Sequence, residues 1–122
     1  MTQKRILVVE DYQSNADMVA QVLREDGYEV KVLYEDLDFF DIALSYKPDL
    51  VIMDIRLPNA DGRDLCNLMA EHAELSFIPV ILISAILEAQ FDDIPSRAIR
   101  NFTKPFDINI LSKSVSQILS QN

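Results

Sequence analysis

Only one cysteine, Cys66, occurs in the 122 residues. That excludes an intramolecular disulfide and a thiolate metal cluster, and it suits a reducing compartment. Long apolar runs are missing too. The amino terminus, MTQKRILVVED, carries two basic residues, but its apolar stretch is four residues long and ends in two acids. A signal peptide or a membrane-spanning helix reads differently, so the expected location is the cytoplasm, with no membrane partner. Cations are scarce: 11 Lys and Arg stand against 20 Asp and Glu, for a net charge of -9. A field of that sign repels a phosphate backbone, and direct nucleic-acid binding is not expected.

What is present is ordinary for a folded protein. Hydrophobic residues make up 49% and charged residues 25%, far from the composition of a disordered chain. The length suits one compact unit with a real core, so a single domain over residues 1–122 is the expectation. No repeat, low-complexity tract or linker interrupts it.

Strands and helices alternate along the chain. Ile6 to Val9 is a fully apolar run of the kind buried on both faces of a parallel sheet, and it stops at Glu10-Asp11. From Gln13 to Asp26 apolar residues recur at helical spacing, and Gly27 follows as a stop signal. Tyr28 to Leu33 alternates as a strand and Asp38 to Tyr46 returns to helical spacing. Pro48 ends that helix before a second buried run, Leu50 to Met53, which delivers Asp54 to its tip. After a turn from Leu57 to Gly62, Leu65, Leu68 and Met69 mark a third helix; Val80 to Ile83 is then a strand ending on Ser84. A short fourth helix is expected within Ala85 to Ser96, where Asp92-Asp93-Ile94-Pro95 argues for an early end. Ile99 to Thr103 is the weakest strand candidate, and Asp107 to Leu119 is a helix with an acidic start. Five strands and five helices in alternation predict an α/β fold with a five-stranded parallel sheet and helices on both faces.

In such a sheet, ligands bind beyond the carboxyl ends of the strands. The residues found there are Glu10-Asp11, Asp54, Ser84 and Lys104. Carboxylates crowded at adjacent strand tips repel one another unless they share protons or a hard cation. Mg²⁺ is the cofactor the chemistry favours, because it keeps coordination positions free for phosphoryl oxygens. A carboxylate can attack phosphorus, and the metal and a lysine ammonium spread the charge of the group in transfer. Asp54 is the expected nucleophile, with Ser84 placed to hydrogen-bond a phosphoryl oxygen. Pro105, directly after Lys104, is a position where a cis bond can aim the lysine inward.

The stretches VVEDYQSN, LVIMDIRLPNADG, VILISA and FTKPF occur in order over essentially the whole chain. In this combination the chain resembles the receiver domain of two-component response regulators. The resemblance implies a doubly wound (βα)5, flavodoxin-like fold, and a phosphoryl group reaching Asp54 from a histidine kinase or phosphotransfer protein. It implies Asp11, Asp54 and the Arg56 backbone carbonyl as Mg²⁺ ligands, with Glu10 acting mainly through water on the metal. Lys104 would pair with the phosphoryl group, and Ser84 would move toward it after transfer. Signalling would then pass to a downstream protein by contact, the domain catalysing only its own phosphorylation and dephosphorylation.

Two other functions compete. An aspartate-nucleophile phosphohydrolase would resemble Asp-x-Asp after the first strand, where this chain has Glu10-Asp11-Tyr12. A phosphorylation-independent binding module would keep the fold without the switch. Two departures bear on the second: the position three before Lys104, usually aromatic in the family, is Asn101, and the segment from Ser84 to Lys104 is short for a receiver. Phe102, one place later, falls on the opposite face and is expected in the core. His72, placed late in the third helix, is read as surface, Cys66 as a small buried hydrophobe, and Arg56 either as overhanging the pocket or as facing solvent.

Overall fold

The computed structural model describes residues 3–85 and 94–120. Its strands are β1 (Arg5–Val9), β2 (Glu29–Leu33), β3 (Leu50–Asp54), β4 (Val80–Ser84) and β5 (Arg100–Thr103). Its helices among the described residues are α1 (Gln13–Glu25), α2 (Phe39–Tyr46), α3 (Gly62–Met69) and α4 (Ile108–Leu119). The strands form one sheet in the order β2-β1-β3-β4-β5, and every neighbouring pair is parallel. This is the doubly wound, flavodoxin-like order, in which the chain changes direction across the sheet between β1 and β3.

Alternation along each strand splits the core in two. Leu7, Val9, Val51, Met53, Val80 and Leu82 point to the side covered by Phe39 and Ala43 of α2 and by Leu65, Cys66 and Met69 of α3. Ile6, Val8, Leu50, Ile52, Ile81 and Ile83 point to the other side, under Val19, Ala20 and Leu23 of α1 and Leu111, Val115 and Leu119 of α4. β3 and β4 are buried along their whole length, which is why they are continuous apolar runs. The edge strands differ: β2 alternates charge and valine, and β5 is the polar Arg-Asn-Phe-Thr.

Local chemistry sets the ends. Gly27, at φ 102°, turns the chain out of α1, a conformation that only glycine adopts without penalty. Lys47 closes α2 in the left-handed region at φ 57°, its N–H donating to the Ala43 carbonyl, directly before Pro48. α3 begins on Asp61, whose side chain accepts the Arg63 N–H at 2.8 Å and the Arg63 Nη2 at 2.8 Å. The Arg63 hydrogen bond holds the Asp61 carboxyl below its usual range, against the opposing effect of burial. Asp61→Ala is therefore expected to remove about 1–2 kcal/mol of stability at neutral pH. A depressed carboxylate stabilises above its unfolded pKa and stops doing so as pH falls through the folded value. Urea melts of the two proteins should accordingly converge in acid.

Several boundaries shift from the sequence reading. β5 starts at Arg100; Ile99 only donates its N–H to the Val80 carbonyl. α3 stops at Met69, so His72 lies beyond it, in a run of turns closed by hydrogen bonds such as His72 N–H to the Met69 carbonyl. His72 is exposed as expected, stacked on Phe40 with ring centroids 5.2 Å apart. Cys66 is fully buried. Phe102 is half-buried against the α1/α4 side, 6.0 Å from the Phe106 ring, while Asn101 is exposed. The expected fourth helix falls largely on residues 86–93, outside the described residues; residues 94–98 are neither helix nor strand. That last stretch is clasped onto α3. Asn67 donates to the Pro95 carbonyl and accepts from the Arg97 N–H, while the Arg97 guanidinium reaches the carbonyls of Cys66, Leu75 and Ile78.

Candidate functional site

Each of the central strands stops on a polar residue at the same edge of the sheet. Glu10 follows β1 and is almost completely buried, its N–H held by the Leu33 carbonyl of β2; Asp11, next to it, is exposed. Asp54 ends β3, buried, and Ser84 ends β4 with no exposure. In the β3–β4 register Asp54 sits opposite Ile83, so Ser84 is one residue further along. Lys104 follows β5, its N–H donating to the Ser84 carbonyl at 2.7 Å, and the Lys104–Pro105 bond is cis.

The side chains meet in the cleft between β1 and β3. Lys104 Nζ lies 2.9 Å from Asp54 Oδ2 and 2.7 Å from Glu10 Oε2. The first contact is a hydrogen bond. At the second, Glu10 Oε2 faces the ammonium as an ion pair without good hydrogen-bond geometry. Glu10 Oε1 accepts the Tyr12 N–H, and Asp54 Oδ1 accepts the Arg56 N–H at 3.1 Å. Glu10, Asp11 and Asp54 each offer a carboxylate oxygen within 4.8 Å of the others. Three carboxylates against one lysine leave the cleft deficient in positive charge.

That imbalance shows in the protonation of the cleft. Burial pushes the Glu10 carboxyl up to about 7, with Lys104 pulling it down and Asp54 adding to the rise. For Lys104, burial acts to lower the ammonium, but Glu10 and Asp54 together outweigh it and the pKa ends above its ordinary value. An oxygen-only donor set with surplus negative charge suits a hard cation. Opposite ligands of an octahedral Mg²⁺ stand about 4.2 Å apart, so a spread of this size is met by small adjustments or an intervening water.

The loop after β3 completes the site. Gly62 packs so closely on the strand end that a Cβ there would lie 2.2 Å from the Asp54 carbonyl oxygen, and its N–H donates to the Ile55 carbonyl at 2.7 Å. The backbones of Arg56 and Asp61 stand opposite each other as a single antiparallel β-bridge across the loop, and the Arg56 side chain is exposed to solvent. The loop tip is held from outside: Asp36 Oδ1 accepts the Asn59 N–H at 3.1 Å. The sequence placed Gly62 in a turn without seeing this close approach, and Asp36, one acid among several in a loop, carried no signal at all. A groove of about 500 Å³ lined by Ala43, Pro48, Leu75 and Phe77 lies at the opposite, amino ends of β3 and β4. It is remote from the converging charges.

Comparison with known proteins agrees with this geometry. Residues 6–116 match the family described as the response regulator receiver domain. The chain is 33% identical over 82 residues to the polar-differentiation response regulator DivK of Brucella anthropi, covering 67% of each protein. It is 28% identical over 117 residues to the DNA-binding dual master transcriptional regulator RpaA of Synechocystis, covering 94% of this chain but only 48% of that protein, so it spans about half of RpaA's length. Among solved structures, a putative response regulator from Chloroflexus aurantiacus superposes with a TM-score of 0.89 at 27% identity, covering 98% of this chain and 100% of that one. The chemotaxis response regulator CheY4 of Vibrio cholerae, at 21% identity and a TM-score of 0.84 over 96% of this chain and 99% of that one, shares the fold. With the family matched along nearly all of its length and the acids and lysine gathered at the strand ends, the chain belongs to the response regulator receiver domains, signalling modules of two-component systems.

Proposed function

We propose that Asp54 accepts a phosphoryl group from the phosphohistidine of a histidine kinase or phosphotransfer protein, and that a downstream protein reads the resulting change of surface. A carboxylate oxygen of Asp54 attacks phosphorus; the new O–P bond forms as the donor's P–N bond breaks. The electron pair stays on the imidazole nitrogen, which takes its proton from solvent. The observation that carries this reading is the buried Asp54 carboxylate with Lys104 Nζ at 2.9 Å and two further carboxylates within 4.8 Å. Lys104 meets the incoming phosphoryl oxygens as a cation already in place, which lowers the reorganisation needed during transfer. Ser84, at the end of the neighbouring strand, supplies a hydroxyl to the same group. Asp11, Asp54 and the Arg56 carbonyl hold Mg²⁺ in this reading, with Glu10 beside them. When bound, the ion neutralises charge on the phosphoryl oxygens. Catalysis is limited to the chain's own phosphorylation and dephosphorylation.

Incubation with Mg²⁺ and acetyl phosphate, followed by intact mass, should show one added phosphoryl group that is absent without Mg²⁺ and absent in Asp54→Asn. Failure to label with both acetyl phosphate and a kinase would point instead to a module that binds its partner without phosphorylation. Continuous turnover of outside phosphate esters would point to a phosphohydrolase.

A further inference from the structure

We propose that Asp36 is a positioning residue for the divalent-cation site, acting through Asn59 on the loop that carries Arg56. The inference rests on reading the cleft as a Mg²⁺-assisted phosphoacceptor. Asp36 lies between β2 and α2 and is 7% exposed, yet no Lys or Arg forms an ion pair with it among the described residues. Its Oδ1 accepts both the backbone N–H of Asn59 at 3.1 Å and the Asn59 Nδ2 at 3.4 Å. Its own carbonyl accepts the Phe39 N–H, which fixes Asp36 to the start of α2. A carboxylate buried with amides rather than a cation for partners is an unfavourable way merely to fill a loop.

What it holds matters. Asn59 sits inside the four-residue turn closed by the Leu57 N–H and the Ala60 carbonyl, and Arg56 immediately precedes that turn. The base of the loop is secured by the Arg56 N–H on Asp54 Oδ1 and by the Gly62 N–H on the Ile55 carbonyl, one of the bonds of the backbone bridge between Arg56 and Asp61. Asp36 secures its outer end, 23 residues away in sequence. With the tether cut, the turn gains freedom that a cation using the Arg56 carbonyl must then remove, and affinity falls. The tether belongs to the β2–α2 loop, so the packing of an element outside the cleft sets the shape of the cleft's floor.

The test is a Mg²⁺ titration followed through the amide resonances of Asp54 and Arg56. Asp36→Ala should weaken binding roughly tenfold, the lower end of what outer-shell partners contribute. Asp36→Asn keeps an oxygen acceptor for Asn59 and should stay within about twofold of wild type. Asp38→Asn removes the same charge two residues away, without the tether, and should also stay within about twofold. Binding by Asp36→Ala within about twofold of wild type, or equal weakening by Asp38→Asn, overturns the proposal. Should the wild type show no saturable shift, the reading of the cleft fails and the tether's role with it; a normal wild-type titration with an unaltered Asp36→Ala removes the tether alone. If Asp36→Ala does not fold, the wild type still decides: the Asn59 amide should exchange at least about tenfold more slowly than in an unstructured chain. Exchange at the free-chain rate overturns the proposal.

Discussion

Lys104→Met is expected to slow labelling of Asp54 by acetyl phosphate about 10²- to 10³-fold at saturating Mg²⁺, the effect of deleting one preorganised charge from a transfer site. The substitution keeps the length and apolar stem of the side chain and removes the ammonium that contacts both Asp54 and Glu10. It should also destabilise the metal-free protein. Separating a buried ion pair by deleting one partner usually costs about 3–5 kcal/mol. Here the loss should be nearer 2–3 kcal/mol, because Lys104 keeps some solvent contact and Glu10, already pushed up to about 7, readily takes the proton that replaces the missing charge. Urea denaturation without metal and the initial rate of mass labelling measure the two effects separately. A rate within threefold or so of wild type would remove Lys104 from the transfer step.

Gly62→Ala should be far more damaging than Gly27→Ala. The added Cβ would sit 2.2 Å from the Asp54 carbonyl oxygen and 3.1 Å from the Ile55 Cα. Both obstacles are backbone, so no rotamer change relieves them; the strand end carrying the Asp54 carboxylate has to move. A loss of about 3 kcal/mol or more is expected, at the upper end for overpacking, together with a fall in Asp54 labelling. Gly27→Ala provides the contrast. A Cβ there meets nothing within 4 Å, and the strain is purely conformational at φ 102°, worth about 1–2 kcal/mol. Equal denaturation midpoints for the two variants would mean that the contact at Gly62 is easily relaxed.

The chain announces its sheet where strands are buried on both faces. β3, β4 and β1 from Ile6 onward are legible because neither face of them meets water, and the polar residue that ends each run marks the edge of the core. β5 is the weakest strand candidate for the opposite reason: an edge strand of Arg, Asn, Phe and Thr has little apolar signal. Turns after Met69 blurred the end of α3, since local i-to-i+3 and i-to-i+4 hydrogen bonds around His72 continue a helix-like spacing without the helix. At the site, chain position identified Glu10, Asp11, Asp54, Ser84 and Lys104, all on the same edge. Which carboxylate oxygen faces the lysine, how closely Gly62 presses on β3 and which acid secures Asn59 depend on side-chain direction and long-range packing. A linear pattern carries neither.

The clasp of Arg97 and Asn67 on the segment before β5 makes α3 a second support for an edge strand that has few apolar contacts of its own. Ser84 is fixed by the sheet through its pairing with Thr103, while Pro95 and Arg97 are fixed by the Asn67 side chain and by the carbonyls of Cys66, Leu75 and Ile78. Both ends of the intervening stretch are therefore anchored by groups lying outside it. A change in α3 that displaced Asn67 or the Cys66 carbonyl would then be felt at the entry to β5, and through it at the backbone of Lys104.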